Sequence, residues 1–180
     1  MQNPESNERQ PNQRKTPVFE FTESVRIEAP PDVVWPILED VQGWWPQSNP
    51  EHQSIEPLDA QGIQIGARLR IREKVAGIPC EAIGTITELT PGEEVTWASD
   101  NARYRWFGQT LAVSEGVTWR IEPAGLDATT LSAHVWATFP KTFRGRIAGW
   151  MFTHVLDGIT KDRQHARTEL EYLKTTLETP

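Results

Sequence analysis

The amino-acid sequence predicts an α+β domain in which an antiparallel sheet of about seven short strands packs against one long C-terminal helix. Between about residues 52 and 139, short segments of alternating apolar and polar residues are separated by turn residues, which is typical of an antiparallel meander. From residue 141 to residue 177 the chain contains no proline. Apolar residues recur there at helical spacing, on a stripe formed by Ala148, Phe152, Val155, Ile159, Ala166, Leu170, Leu173 and Leu177.

One strand and two short helices are predicted ahead of the meander. Apolar and polar residues alternate over Phe19–Ile27, which indicates a half-buried strand. The run Ala29-Pro30-Pro31 ends that strand. Proline is accepted in the first turn of a helix, so a short helix is predicted to begin at Pro31. A second, very short helix or turn is predicted around Trp44 and Trp45.

Turn residues divide the meander into strands. Gly77-Ile78-Pro79 and Ser114-Glu115-Gly116 are two of these turn signals. The stretch from Asp100 to Val113 fits either one long bent strand or two strands. The predicted strands are Ala67–Val75, Cys80–Leu89, Val95–Ser99, Tyr104–Val113, Val117–Glu122 and Thr129–Phe139.

Composition and charge exclude several classes of function. The 180 residues include 18 Lys and Arg against 25 Asp and Glu, a net charge of -7, so a nucleic-acid partner is not expected. The single cysteine, Cys80, excludes an intramolecular disulfide and is expected to be a packed thiol. Met1–Thr16 is almost entirely polar and has no apolar segment of a signal peptide. We therefore expect a disordered tail over 1–16, one domain over 17–178 and a cytoplasmic location.

The four histidines are not expected to form a metal site. His52, His134, His154 and His165 are far apart in the sequence, and only the last two fall on the same predicted helix. Their separation of eleven residues is about three helical turns, too far for one ion. Strand alternation places His134 on the outer face of the sheet. Neither a metal nor another cofactor is therefore predicted.

Several segments carry a resemblance to a known superfamily. They are Val25–Pro31, Val34-Trp35, Trp45-Pro46, Gly116–Pro123 and Glu169–Lys174. In these segments and in its order of elements, the chain resembles the START and plant-allergen-like superfamily, also called SRPBCC, which includes polyketide cyclase/dehydrase-like proteins. The resemblance implies a helix-grip fold, in which an incomplete barrel grips the last helix around an internal cavity. It also implies ligands such as lipids, sterols, polyketides or hormones, with cyclisation or dehydration catalysed by some members.

Three functions remain open from the sequence, because a fold does not select among them. The first is binding or transport of an apolar small molecule, such as a lipid, a polyketide or an aromatic compound, driven by burial of its apolar surface. The second is a polyketide cyclase/dehydrase-type enzyme that uses the same cavity and needs acid/base groups within it. The third is a protein-interaction module.

The predicted ligand contacts come from the inward faces of the strands and of the last helix. The chain has eight tryptophans, which favours an aromatic-lined interior. Alternation places Trp119 on one face with Val117 and Ile121, and Tyr104 on one face with Trp106. The predicted ligand-binding residues are Trp97, Tyr104, Trp106, Trp119, Val135, Phe152, Val155 and Ile159.

Two carboxylates interrupt apolar strand faces and are the candidates for acid/base chemistry. Glu23 lies among the apolar residues of the first strand, and Glu73 interrupts the apolar face of Ala67–Val75 in the same way. Alternation turns both towards the interior, where burial raises the pKa of a carboxyl group. The same strand alternation turns Tyr104 inward, so its hydroxyl group is the predicted partner of these carboxylates. In the alternative interpretation, a β-bulge in either strand leaves its glutamate exposed to solvent and without a functional role.

The first half of the predicted C-terminal helix is apolar nearly all round. Phe143, Ile147, Trp150 and His154 lie opposite or beside the main stripe, and a helix of this kind is normally covered. Three alternatives can cover this face: the Trp44–Trp45 segment of the same monomer, a homodimer contact, or a membrane that the helix touches as a lid. Membrane contact is not the expected one.

Overall fold

A seven-stranded antiparallel sheet forms the body of the protein, as the sequence predicts. The computed structural model describes residues 19–59, 62–106 and 108–179, so the predicted tail Met1–Thr16 lies outside the described residues. The strands are β1 (Phe19–Ile27), β2 (His52–Pro57), β3 (Arg68–Val75), β4 (Ile78–Thr90), β5 (Glu94–Trp106), β6 (Gln109–Pro123) and β7 (Thr129–Thr138). They lie in the order β1-β7-β6-β5-β4-β3-β2.

Four described helices accompany the sheet: α1 (Pro31–Glu39), α2 (Val41–Ser48), α3 (Phe143–His154) and α4 (Gly158–Glu178). The two short helices after the first strand are confirmed, with Pro31 at the start of α1. Helix α4 packs mainly against β1, and α2 packs against β2. Each edge strand of the sheet therefore has a helix against it. The core between sheet and helices includes Ile27, Leu38, Leu131, Leu170 and Leu173, all at most 1% exposed.

The stretch from residue 100 to residue 113 is divided between two strands. The predicted strand Tyr104–Val113 is wrong: β5 ends at Trp106 and β6 begins at Gln109, with Gly108 at φ 74° between them. The predicted turn Ser114-Glu115-Gly116 is also wrong, because these residues lie inside β6 and pair with β7. Gly116 is needed there for space, since a Cβ at this position would lie 2.2 Å from the ring of Trp136.

The predicted single C-terminal helix is two helices. Helix α3 ends at His154 and α4 starts at Gly158, with Asp157 in the left-handed region at φ 51°. A Cβ on Gly158 would lie 2.5 Å from the ring of Phe152, so glycine lets the start of α4 approach this ring closely. The break shifts the phase of the apolar stripe, and Val155, predicted to be buried, is 56% exposed.

Part of α3 is open to solvent. Phe143 is 78% exposed, Trp150 58% and Ile147 43%. The alternative in which the described part of the monomer covers this face is therefore wrong. Among the described residues, no helix combines the length and the apolar character needed to cross a membrane.

The turn between β3 and β4 contains an alanine in an unfavourable conformation. Val75 pairs with Ile78, which leaves a two-residue turn in which Ala76 has φ 52° and Gly77 has φ 77°. Positive φ at both positions is typical of a type I′ turn, for which Asn-Gly is preferred. An alanine in the left-handed region costs about 1–2 kcal/mol.

We expect Ala76→Asn to raise the free energy of unfolding by about 0.5–1 kcal/mol, because asparagine tolerates this conformation. Urea unfolding measures the change. The control is Ala112→Asn at an exposed position inside β6, where asparagine is disfavoured in a strand and no gain is expected. Equal effects of the two substitutions would contradict the assignment of strain to Ala76.

Candidate functional site

A cavity lies between the inner face of the sheet and helices α3 and α4. Its empty volume is about 940 Å³, which includes the open space at its mouth. Aromatic and aliphatic side chains form most of its lining. Six of the predicted ligand-binding residues line it, namely Trp97, Tyr104, Trp106, Trp119, Val135 and Phe152.

Two predicted ligand contacts do not reach this cavity. Val155 and Ile159 are not among the lining residues. Both follow the end of α3, where the chain leaves the regular helical phase on which the prediction was based. Phe152, in the last turn of α3, does line the cavity, and its ring stacks at 5.5 Å on that of Phe19.

Two indole N–H groups in the lining have no acceptor. The Nε1 atoms of Trp97 and Trp119 are buried and have no hydrogen-bond partner among the described residues. Trp97 is 5% exposed and Trp119 is 4% exposed. A buried donor without a partner costs about 1–3 kcal/mol.

A carboxyl group and a phenol meet on the lining. The Tyr104 hydroxyl donates to Glu115 Oε2 at 2.5 Å. Burial, reinforced by the charge of Glu73, raises the pKa of Glu115 to about 8 despite that hydrogen bond. Burial also raises the pKa of Asp162, which lines the same cavity, to about 7. A cavity with these groups can offer a neutral carboxylic acid as a proton donor near pH 7.

The two carboxylates predicted from the sequence have different surroundings. Glu23 is buried, but it accepts hydrogen bonds from Arg163 and Arg167 of α4 and does not line the cavity. Burial acts to raise the pKa of Glu23, and the two guanidinium groups outweigh it and lower the pKa. The expectation of a raised pKa at Glu23 is therefore wrong. Glu73 does line the cavity, as does its predicted partner Tyr104.

Four side chains meet at one end of the cavity, and we call them the polar cluster: His52, Glu73, His165 and Glu169. His52 Nε2 lies 2.8 Å from His165 Nε2 and 3.0 Å from Glu169 Oε1. Glu73 Oε2 lies 3.4 Å from His165 Nε2. All except His52 line the cavity. The sequence prediction of no metal site was based on the distance between the histidines along the chain, and the fold nevertheless brings His52 and His165 together. His134 is half exposed and bonded to Thr22.

Neighbouring groups orient both imidazole rings of the polar cluster. The ring of His52 stacks on Trp45 at 3.5 Å, and its Nδ1 lies 2.5 Å from the Trp45 carbonyl oxygen. His165 Nδ1 lies 3.4 Å from Glu51 Oε2. Burial acts to lower the pKa of His165, but hydrogen bonds to Glu169 and Glu73 outweigh it and raise the pKa.

Sequence reasoning missed five of these polar residues: His52, Glu115, Asp162, His165 and Glu169. Glu115 was assigned to a turn, although it has the same parity as Val113, Val117 and Trp119 in one continuous strand. His165 and Glu169 are four residues apart and flank the apolar stripe of α4. That spacing was a signal for one helix face. Nothing in the sequence indicated their approach to His52.

The sequence matches one family across nearly its whole length. A model of the family described as "Polyketide cyclase / dehydrase and lipid transport" matches residues 18–178. A search of curated proteins finds no significant match.

Solved structures with the same fold come from several organisms. The Zhui aromatase/cyclase from Streptomyces sp. R1128 has a TM-score of 0.65 and 18% identity, covering 89% of this chain and 93% of its own. A START superfamily protein from Mycobacterium smegmatis has a TM-score of 0.55 and 16% identity, with 82% and 97% covered. Truncated norcoclaurine synthase from Thalictrum flavum has a TM-score of 0.59 and 11% identity, with 90% and 94% covered. At these identities the similarity shows the fold alone.

Proposed function

Because the chain belongs to the polyketide cyclase/dehydrase and lipid transport family, of helix-grip fold, we propose that it binds an apolar, aromatic-type small molecule that carries oxygen atoms. The observation that carries the proposal is the cavity, whose lining is mainly aromatic and aliphatic and includes the carboxyl groups of Glu115 and Asp162. An apolar body would fill the aromatic space, and burial contributes about 25 cal/mol per Å² of apolar surface. Oxygen atoms on the ligand would accept hydrogen bonds from a protonated Glu115 or Asp162 on the lining.

The polar lining supports the same ligand class. Glu115 and Asp162 have raised pKa values of about 8 and about 7, so both can be neutral donors near pH 7. A strongly anionic ligand would meet four carboxyl groups, those of Glu73, Glu115, Asp162 and Glu169, on the lining. We therefore place neutral ketones, phenols and quinones, and not free acids, in the proposed ligand class.

The probe for this proposal is the neutral, apolar fluorophore N-phenyl-1-naphthylamine, titrated into the purified full chain. We expect saturable binding with enhanced fluorescence. Val117→Phe, which adds volume at a lining position of β6, should weaken binding at least tenfold. The control Ile83→Phe adds the same ring at a side chain that is 45% exposed and should leave binding unchanged.

Native mass spectrometry of freshly purified protein, followed by denaturing extraction, identifies any natural ligand. A defined apolar mass that co-purifies supports the proposal. Absence of saturable binding of the fluorophore, or equal effects of the two phenylalanine substitutions, would contradict it.

A second candidate function is acid-catalysed cyclisation or dehydration in the same cavity. The specific observation is the Tyr104–Glu115 pair, which offers a neutral carboxylic acid close to pH 7. The enzyme Zhui is named an aromatase/cyclase, and the similarity of fold is compatible with this candidate. Glu115→Gln separates the two functions, because it keeps the size of the side chain: a carrier retains its ligand, whereas an enzyme loses turnover of its substrate.

A further inference from the structure

We propose that the polar cluster binds one divalent first-row transition-metal ion of the zinc type. The donor atoms are His52 Nε2, His165 Nε2 and Glu169 Oε1, which all lie within 4.8 Å of one another. They come from β2 and α4, which the fold holds together, and Glu73 of β3 completes the polar cluster beside them. The inference depends on these atoms and not on the apolar ligand of the cavity.

The separations of the three donor atoms are compatible with one ion whose fourth position is left for water or another oxygen ligand. Zinc lies about 2.0–2.2 Å from nitrogen and oxygen ligands, so the edges of a tetrahedral site are about 3.3–3.6 Å. His165 Nε2 lies 3.3 Å from Glu169 Oε1, and Glu73 Oε2 lies beside the site, 3.4 Å from His165 Nε2. The other two distances among the three donors, from His52 Nε2 to Glu169 Oε1 and to His165 Nε2, are 3.0 Å and 2.8 Å, so these atoms move slightly apart when an ion binds.

The hydrogen bonds of the two rings turn lone pairs towards this point. The carbonyl oxygen of Trp45 and the carboxylate of Glu51 can only accept, so the Nδ1 atoms of His52 and His165 carry hydrogen. In a neutral imidazole the Nε2 atom then has its lone pair free. This arrangement, with Nδ1–H bonded to a carbonyl or carboxylate oxygen, is the usual support of a metal-binding histidine.

Charge is the third argument for a cation. The side chains of His52, His165, Glu169 and Glu73 are 0%, 7%, 9% and 13% exposed. Among the described residues, no lysine or arginine forms an ion pair with Glu73 or Glu169, whose ion-pair partners are His52 and His165. Two nearly buried carboxylates require compensation. A divalent ion supplies it with both rings neutral, whereas a metal-free cluster must hold protons instead.

An ion has access to the cluster from two sides. His165, Glu73 and Glu169 line the cavity. On the outer side, His165 also lines a surface groove with Glu51, Ala76 and Lys161. An ion bound at the cluster would thus be reachable from the cavity, where a further oxygen ligand can approach it.

The experiment uses the full chain after treatment with EDTA and removal of the chelator. Zn²⁺ is titrated by calorimetry, and Co²⁺ by visible absorption. We expect one ion per chain with a dissociation constant below about 1 μM, the intense absorption of tetrahedral Co²⁺, and a melting temperature raised by several degrees with saturating Zn²⁺. Neither readout requires the apolar ligand, so failure here is distinct from failure of the proposed function.

Variants locate the ion. Glu169→Gln and His165→Asn should each weaken Zn²⁺ binding at least a hundredfold, and His134→Asn, at a half-exposed histidine on the outer face, should leave it unchanged. The parent's Co²⁺ spectrum decides the question even if a cluster variant fails to fold. Absence of stoichiometric binding by the parent, an octahedral Co²⁺ spectrum, or equal losses in His134→Asn would overturn the proposal in favour of a proton-bridged cluster.

Discussion

Trp119→Ala is expected to lower the free energy of unfolding by about 3–5 kcal/mol, the range found when a large buried aromatic side chain is truncated. Trp119 is 4% exposed, and the edge of its ring meets Trp44 at 5.8 Å and 88°. Trp44 in turn bonds to the Leu38 carbonyl oxygen. Truncation therefore removes an aromatic contact between β6 and α2, as well as the buried area of the indole itself.

Urea unfolding measures this loss. Trp150→Ala is the matched control, because the substitution is identical and Trp150 is 58% exposed on α3; its expected cost is below about 1 kcal/mol. A near-parental midpoint for Trp119→Ala would show that Trp119 does not lie on the buried face of β6.

Glu115→Gln is expected to remove a pH dependence from the stability of the protein. The pKa of Glu115 is raised from 4.5 to about 8 in the folded state. Between these values the unfolded chain has released a proton that the folded chain retains, so raising the pH favours unfolding by about 1.4 kcal/mol per pH unit. The stability contribution is fully present below about pH 4.5 and is lost as the pH rises through about 8.

Glutamine keeps an oxygen that accepts the hydrogen bond of Tyr104 but has no proton to lose. Relative to the parent, the variant should therefore gain about 3 kcal/mol between pH 5 and pH 8. Urea unfolding of both proteins across this range gives the difference directly. Glu122→Gln, at an exposed position of the same strand, should leave the parental slope intact. A difference between Glu115→Gln and parent that does not change with pH would refute the buried neutral acid.

Local patterns in the sequence were sufficient for most of the fold. Alternation over Phe19–Ile27 and the proline run at Pro30 and Pro31 depend on neighbouring residues only, and β1 and α1 begin and end close to where they were expected. The hairpin between β5 and β6 was misplaced, because Gly116 resembles a turn residue. Gly116 instead leaves room for the ring of Trp136 on the neighbouring strand. That ring is twenty residues away in the sequence, so a local pattern does not reveal the contact.

The candidate site was predicted less well, because its polar groups depend on long-range packing. Alternation along β1 correctly predicted that Glu23 points inward. It could not show that Arg163 and Arg167 of α4 donate hydrogen bonds to its carboxylate. His52 and His165 are separated by 113 residues and meet only because α4 crosses the sheet near β2 and β3. The aromatic lining was easier to predict, because alternation along a single strand is enough to show which side chains point inward.

The position of β1 in the sheet has a consequence for how the chain folds during synthesis. Its only strand partner in the described sheet is β7, through pairs that run from Ile27–Thr129 to Phe19–Ala137. A ribosome releases β1 early and β7 late, so Phe21 and Ile27 must wait for more than one hundred further residues before they can be buried. Sheets closed by such distant contacts fold slowly, because loop closure precedes the gain from contacts. We therefore expect β1 to be open to aggregation until β7 has been synthesised.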